Sequence, residues 1–305
     1  MALLTEIWVT DIQEKLTENL GYLNMSVDES SFATPLASGK YAVHRPMAGT
    51  MPSVEKNRAV LPAQIEKRTD TDEVYYVNDY TTAPMLVSQL ETYQISYDKR
   101  QSILRESLNR ISERMAYDAL VEWATTSSSK IVRTSGAATG ALPPSGTGTR
   151  KKAAIADVAK LATIFDKDKV PANGRVLALP PDLYEDLATQ SDVLSSFVSG
   201  KTVYPDGQLP RVYGFEVMKI VDLPVYTTAL AVRPFAEAGA AADNFAGLAW
   251  HRDFVAKAML APQIFESSRQ PEYYGDLVSI MAYMGAAKVR PTTQVGVGAL
   301  VQAAG

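Results

Sequence analysis

The sequence predicts an α+β fold in which an extended β region leads into one long helix and an α/β region follows. Three observations carry that reading. β-type residues alternate with polar ones between about 40 and 80, as in Tyr41, Val43 and Arg45 or in Glu73 to Val77. Leu104, Leu108, Ile111, Met115, Ala119 and Trp123 recur at steps of three and four, which lays one apolar stripe along a helix. From about residue 150 onward, short apolar strands alternate with short amphipathic helices.

Taken in order, the first forty residues read as an arm. A short helix is expected near 10–16, begun by Thr10 or Asp11, and the pattern fades beyond Gly21. With no apolar face of its own, this arm must lie on something else. A strand through Tyr41, Val43 and Arg45 is expected before Pro46, residues 47–52 break the pattern, and strands follow over residues 63–68 and 73–77, with the polar cluster Thr69 to Asp72 as the turn between them. Hairpins polar on both faces have little private core, so this region is expected to project and to pack against another subunit. The helix over about 98–124 is the strongest element and would reach roughly 40 Å. Residues 125–150 are rich in Ser, Gly, Thr and Pro and predict a domain boundary or mobile loop. Beyond it, Ile155, Val158, Ala162 and Phe165 line a helix, residues 175–179 a buried strand, and Pro180-Pro181 opens a helix through Leu183, Tyr184 and Leu187. Further strands are expected at 215–220, 247–251, 254–256 and 276–284, with a small-residue loop at 239–244.

Composition narrows the function classes. The chain has 305 residues, 46% of them apolar and 21% charged, which is ample for a core. No run approaches the roughly 18 apolar residues of a membrane span, and Glu6, Asp11, Glu14 and Glu18 break up the N-terminus, which reads as mature chain rather than as a signal peptide. Thirty basic residues against 34 acidic ones give a formal charge of −4, no footprint for tight duplex binding. With no cysteine and only His44 and His251, thiolate chemistry and His-rich metal sites fall away.

The remaining motifs are weak. Ser199-Gly200-Lys201-Thr202 lacks the upstream glycine of a phosphate loop, where Ser195 stands instead, and Gly146-Thr147-Gly148 follows a proline-rich loop rather than a strand. His251 beside Asp253 could act as a base, with Glu266 as a further partner, yet a hydrogen-bonded structural histidine is the better reading; His44 reads as a surface or interface residue. The acid pairs Asp70/Asp72 and Asp166/Asp168 lack the dense oxygen-ligand loop of a cation site. No catalytic, cofactor or metal residues are assigned.

The order of the parts says more than any motif. Val170-Pro171-Ala172-Asn173-Gly174-Arg175, running on through Leu179-Pro180-Pro181 to Tyr184, then Gly214-Phe215 through Leu223-Pro224, then Ala249-Trp250-His251-Arg252, and finally Ala287-Lys288-Val289-Arg290-Pro291, together resemble the major capsid proteins of tailed phages, whose fold is named after phage Hong Kong 97. Lys56-Asn57-Arg58, the stretch from Arg68 to Asp72, and Ser96 to Arg100 are similar to one subgroup of them. The resemblance covers essentially the whole chain. It implies an N-terminal arm (1–39), an extended β-hairpin or E-loop (40–80), a peripheral domain with its spine helix (81–149), an axial domain (150–275), and a return strand to the peripheral domain with a C-terminal tail (276–305).

The resemblance further implies a virion shell protein, not an enzyme, assembled in the host cytoplasm. Copies of the chain would form hexamers and pentamers of an icosahedral head enclosing double-stranded DNA that is contacted non-specifically. A portal, a decoration protein and, since no long charged helical segment precedes the arm, a separate scaffolding protein would be its partners. An encapsulin-like nanocompartment shell is the nearest alternative and a soluble α/β enzyme the remote one. From the residues of the hairpin region, Tyr41, Val54, Lys56, Arg58, Val60, Leu61, Ile65 and Arg68 are the candidates for inter-subunit contact. Lys56 and Lys67 lack a recognisable partner for the lysine–asparagine crosslink known in some such shells, so non-covalent assembly is expected.

Overall fold

The apolar stripe of the long helix has to be buried, and two different sheets bury it. The computed structural model describes residues 21–36, 40–49, 51–59, 61–62, 65–88, 98–143, 145–190 and 211–305. Helix α1 (Asp98–Trp123) buries Leu104, Leu108, Ile111, Met115, Ala119 and Trp123 in one cluster that takes side chains from both sheets. At its C-terminal end the Lys288 ammonium donates to the carbonyls of Glu122 and Ala124 (2.9 Å to the latter), supplying two of the partners that helix geometry leaves missing.

Among the described residues, strands β1 (Val27–Asp28), β2 (Ala33–Pro35), β3 (Tyr41–Met47), β4 (Thr71–Thr81), β5 (Met85–Ser88), β13 (Val255–Gln270) and β14 (Gly275–Lys288) form the first sheet. Its order is β1-β13-β14-β4-β3-β2, with β5 also paired to β14. The second sheet orders β10 (Arg211–Val212), β11 (Phe215–Lys219), β9 (Arg175–Leu179), β12 (Ala246–His251), β15 (Val297–Val301) and β6 (Ile131–Arg133) side by side. A separate pair joins β7 (Ala138–Gly140) to β8 (Thr149–Lys151).

Strand periodicity sorts the second sheet into two faces. Val176, Ala178, Leu248, Trp250, Ala299 and Val301 join the cluster of α1. Their alternates Leu177, Leu179, Ala249 and Leu300 pack instead on α2 (Ile155–Lys167) and α3 (Pro181–Ala188), through Val158, Leu161, Phe165, Leu183 and Leu187. Gly298 is where α2 comes closest: a Cβ there would sit 2.9 Å from Leu161 Cδ1 and 3.1 Å from Phe165 Cε2. From the first sheet, Val278, Ile280, Ala282 and Met284 of β14 face α1. The two tryptophans mark the junction. Their rings lie 5.5 Å apart; Trp123 Nε1 donates to Ala256 O (3.1 Å) and Trp250 Nε1 to Met25 O (3.0 Å). The described part of the arm does lie on the body: Leu23 is fully buried, β1 runs parallel to β13, and β2 pairs with β3.

Several sequence expectations need correction. Residues 125–150 are not a featureless linker, since they contribute β6 to the second sheet and the β7–β8 pair. Arg150, buried, donates to Asn244 Oδ1 (2.7 Å) and to the carbonyls of Thr147, Thr149, Ala241 and Asp243, tying this segment to the small-residue loop. The turn expected at Thr69 to Asp72 is displaced. Thr71 and Asp72 already belong to β4, opposite Met47 and Pro46, while residues 65–68 are not strand. A division after 275 falls inside the first residues of β14, which pairs with β13 over most of its length. The expected C-terminal tail contains β15, buried throughout and paired with β12 and β6. The expected helix near 10–16 lies outside the described residues.

Trp123→Ala would remove a large ring from the junction together with its hydrogen bond to the Ala256 carbonyl. A loss of about 3–5 kcal/mol is expected for a core tryptophan, read as a lowered urea midpoint with unchanged slope.

Candidate inter-subunit surface

Strands β3 and β4 pair without interruption from Tyr41↔Val77 to Met47↔Thr71, and residues 48–70 leave their ends as a finger. Where described, the finger has no ladder, so its two legs must be held by side chains. Ser53 donates from its amide (2.9 Å) and its hydroxyl (2.6 Å) to the Glu66 carboxylate. Gly49 donates its amide to Asp70 Oδ1 (3.0 Å), which also takes Arg68 Nε at 2.5 Å. Near the tip Asn57 adopts a left-handed conformation (φ 56°), which asparagine tolerates better than most residues, and Arg58 lies 3.5 Å from Glu55.

Polar groups thus face each other across the finger and apolar ones are left in water. Ile65 is 100% exposed, Val54 96%, Met51 91% and Leu61 79%. Isolated exposed apolar residues are ordinary on any protein; several on one projecting loop make it a candidate contact surface. Of the other candidates, Lys56, Arg58 and Arg68 are on the finger with at least part of their side chains in solvent, and Val60 lies outside the described residues. Tyr41 is placed differently: its ring meets Tyr283 edge-on at 5.5 Å, within a small cluster around Val43, Val77 and Ala258. It is a contact inside this chain. Sequence reasoning missed Ser53 and Glu66, because a hydrogen bond across thirteen residues of loop leaves no periodic signal.

The charges of the finger set its response to acid. Hydrogen bonds from the Ser53 hydroxyl and amide hold Glu66 below the usual carboxylate range. The Gly49 amide and then the Arg68 guanidinium do the same for Asp70. A carboxyl with a depressed pKa supports the closed form above its unfolded pKa, and that support is lost as pH falls through the folded value.

Residues that could have served catalysis are engaged structurally. Buried His251 accepts the Asp253 amide at Nδ1 (3.2 Å), and its Nε2 meets Asn173 O at 2.7 Å. This arrangement places the proton on Nε2 and aims it at a carbonyl, so the ring caps the turn Arg252–Phe254; the Asp253 carboxylate is 3.9 Å away and exposed. Glu266 pairs with Val278 in the first sheet. Exposed His44 meets Asp72 at 2.7 Å. Asp166 binds Arg175 (2.7 Å) and Asp168 binds Lys130. The amide of Thr147, in the glycine-flanked stretch, is taken by Ala241 O. Residues 199–202 lie outside the described residues. Among the described residues no three His, Asp or Glu side chains gather as a metal cluster, and no helix is long and apolar enough to cross a membrane.

No protein-family model matches the chain, and no curated protein sequence matches it. Solved structures do. Over 91% of its length the chain is similar to a chain of the capsid of the cyanophage P-SCSP1u, at 17% identity and a TM-score of 0.62, covering 85% of that chain. It is similar over 92% to a chain of the mature capsid of bacteriophage PhiM1, at 11% identity and TM-score 0.63, covering 86% of that chain. A virus-like particle from Pyrococcus furiosus matches over 95% of this chain and 96% of its own, at 10% identity and TM-score 0.54. The chain therefore has the mixed α/β fold of phage capsid structures.

Acid should open the finger. Amide exchange at Gly49 and Ser53, corrected for intrinsic rates, should keep its protection at pH 7 and lose it as pH falls below about 4, and Glu66→Gln should weaken it at Ser53 already at pH 7. Protection that ignores both changes would show that the legs are held by something else.

Proposed function

We propose that this chain is the major capsid protein of a tailed-phage head, a coat subunit that assembles into hexameric and pentameric capsomers of an icosahedral shell around double-stranded DNA. The observation that carries this reading is the finger of residues 48–70, with its apolar side chains in water, on a chain with the fold of phage capsids. In the Hong Kong 97 scheme the finger is the E-loop and α1 the spine of the peripheral domain, together with the first sheet. The second sheet with α2 and α3 is the axial domain. A shell must enclose DNA without gripping it, and a net charge of −4 suits that role.

Val54, Lys56, Arg58, Val60, Leu61, Ile65 and Arg68 make the contact, with Tyr41 supporting the hairpin from within its own subunit. A neighbour offers a groove of about 520 Å³ between β4 and α1, lined by Val74, Tyr76, Met115, Val121 and Met284, with Asp118 and Glu122 among its lining residues. Apolar finger residues would cover Val74 and Tyr76, and Lys56 and Arg58 would meet the acids. Scaffolding and portal proteins are the further partners, with a decoration protein on the outside; the assembled shell belongs to the virion.

A second reading, an encapsulin-like nanocompartment shell, has only weak support in the likeness to the Pyrococcus furiosus virus-like particle. The contents of purified particles separate the two: packaged DNA supports the head, protein cargo without DNA the compartment.

Electron microscopy of the expressed protein, alone and with its scaffold, should show closed shells. Removing residues 47–61 should leave circular dichroism unchanged and abolish or misdirect assembly. A protein that stays monomeric under every condition overturns the proposal. Denaturing gels of mature shells should run as a single monomer band; a ladder of covalent oligomers would mean that Lys56 or Lys67 finds a crosslinking partner after all.

A further inference from the structure

The hairpin that bears the finger is a cantilever. β14 supports β4 only over Asn78 to Thr81, and β2 supports β3 only over Tyr41 to Val43. Among the described residues, 44–47 and 71–74, from which the finger departs, have only each other as strand partners. One carboxylate reaches this unsupported stretch from outside. Glu29, between β1 and β2 of the arm, takes Arg45 Nε at 2.9 Å on one oxygen, and Arg45 Nη2 at 2.5 Å with the Tyr75 hydroxyl at 2.9 Å on the other. Arg45 is on β3 and Tyr75 on β4, so a single side chain grips both strands.

The grip has firm ground on each side. Leu23 is fully buried, Met25 O is held by Trp250, Asn24 by Lys257 (2.9 Å), and the Ser30 hydroxyl takes the Met259 amide (2.9 Å). On the far side Arg45 Nη1 approaches Lys288 O at 3.4 Å, and the same Lys288 caps the end of α1. Arg45 and Glu29 side chains are only 12% and 13% exposed. Solvent and salt therefore screen this pair far less than a surface pair, and removing one partner leaves the other's charge partly buried and uncompensated.

We infer that Glu29 is a latch that fixes the direction in which the finger leaves the subunit, holding the cantilevered hairpin to the arm and, through Arg45 and Lys288, to the end of the long helix. Glu29 is a positioning residue: it orients a contact surface that it does not itself form. In the shell reading, on which only this consequence rests, displacement of the arm would free the finger to change its angle.

The chain has no cysteine, so two can be introduced cleanly. With spin labels at Ile65→Cys and Glu185→Cys, both exposed positions, the free subunit should give one narrow distance distribution between finger and body. Glu29→Gln, nearly isosteric but uncharged, should replace it with a broad or shifted one. The swapped pair Glu29→Arg with Arg45→Glu should bring the narrow distribution back. A Glu29→Gln subunit with the wild-type distribution overturns the latch. So does one whose thermal midpoint falls while its distances stay unchanged, because Glu29 would then contribute stability without direction. The measurement is made on the free subunit, so a protein that never forms shells would count against the capsid reading and still leave the latch to be decided by the distances.

Discussion

The fold depends on the burial of one helical stripe between two sheets. α1 presents its apolar residues on one side, yet that side meets Val176, Ala178 and Trp250 of one sheet and Ile280, Ala282 and Met284 of the other within a single cluster. Neither sheet could bury the stripe alone, so the helix fixes how the sheets sit relative to one another. The tryptophan pair tightens the junction, because each indole N–H is anchored to a backbone carbonyl from a different segment, Ala256 on β13 and Met25 on the arm. A buried indole with its donor satisfied contributes packing without an orphaned polar group. Arm, helix and both sheets therefore share one core, and this gives the projecting hairpin a rigid base.

Much of this was legible where a residue pattern coincides with a burial pattern. The stripe of α1 reads directly as its buried face, and residues 175–179, buried throughout as β9, read as a strand because an apolar run between Gly174 and a Pro-Pro pair has few other uses. β13 was legible only at its start. Past Leu260 its burial alternates imperfectly, and Pro262 sits in a register shift between Leu260 and Gln263, where a missing N–H does least harm. β15 was hidden for a different reason. Gly298 weakens the strand signal, yet glycine is needed there because α2 approaches too closely for a Cβ. In both cases the tertiary neighbour decides the residue, and a local reading cannot see the neighbour.

The finger was legible as a projection and illegible in its construction. Its charges suggested a hairpin too polar to hold itself together, with strands at 63–68 and a turn at 69–72. The legs are instead bridged by carboxylates that accept backbone amides, Glu66 from Ser53 and Asp70 from Gly49. A carboxylate can satisfy an amide at any register, whereas a ladder fixes the register and alternates the faces. Dispensing with the ladder frees the apolar side chains from alternation, so Val54, Leu61 and Ile65 need not be divided between an inner and an outer face.

That construction also explains why the latch lies where it does. A finger closed by side-chain bonds is joined to the body only through β3 and β4, so any error in the angle of those strands is carried to its tip. The ladder cannot correct the error, because β2 and β14 stop short of the point of departure. An ion pair reaching diagonally across both strands can, since Arg45 presents a fixed fork and Glu29 answers it with both oxygens. Its energy need not be large: to aim the finger, it has only to exceed the thermal bending of a short two-stranded ribbon. The stability of the fold therefore resides in the helix between the sheets, and the direction of the projecting finger in a carboxylate contributed by the arm.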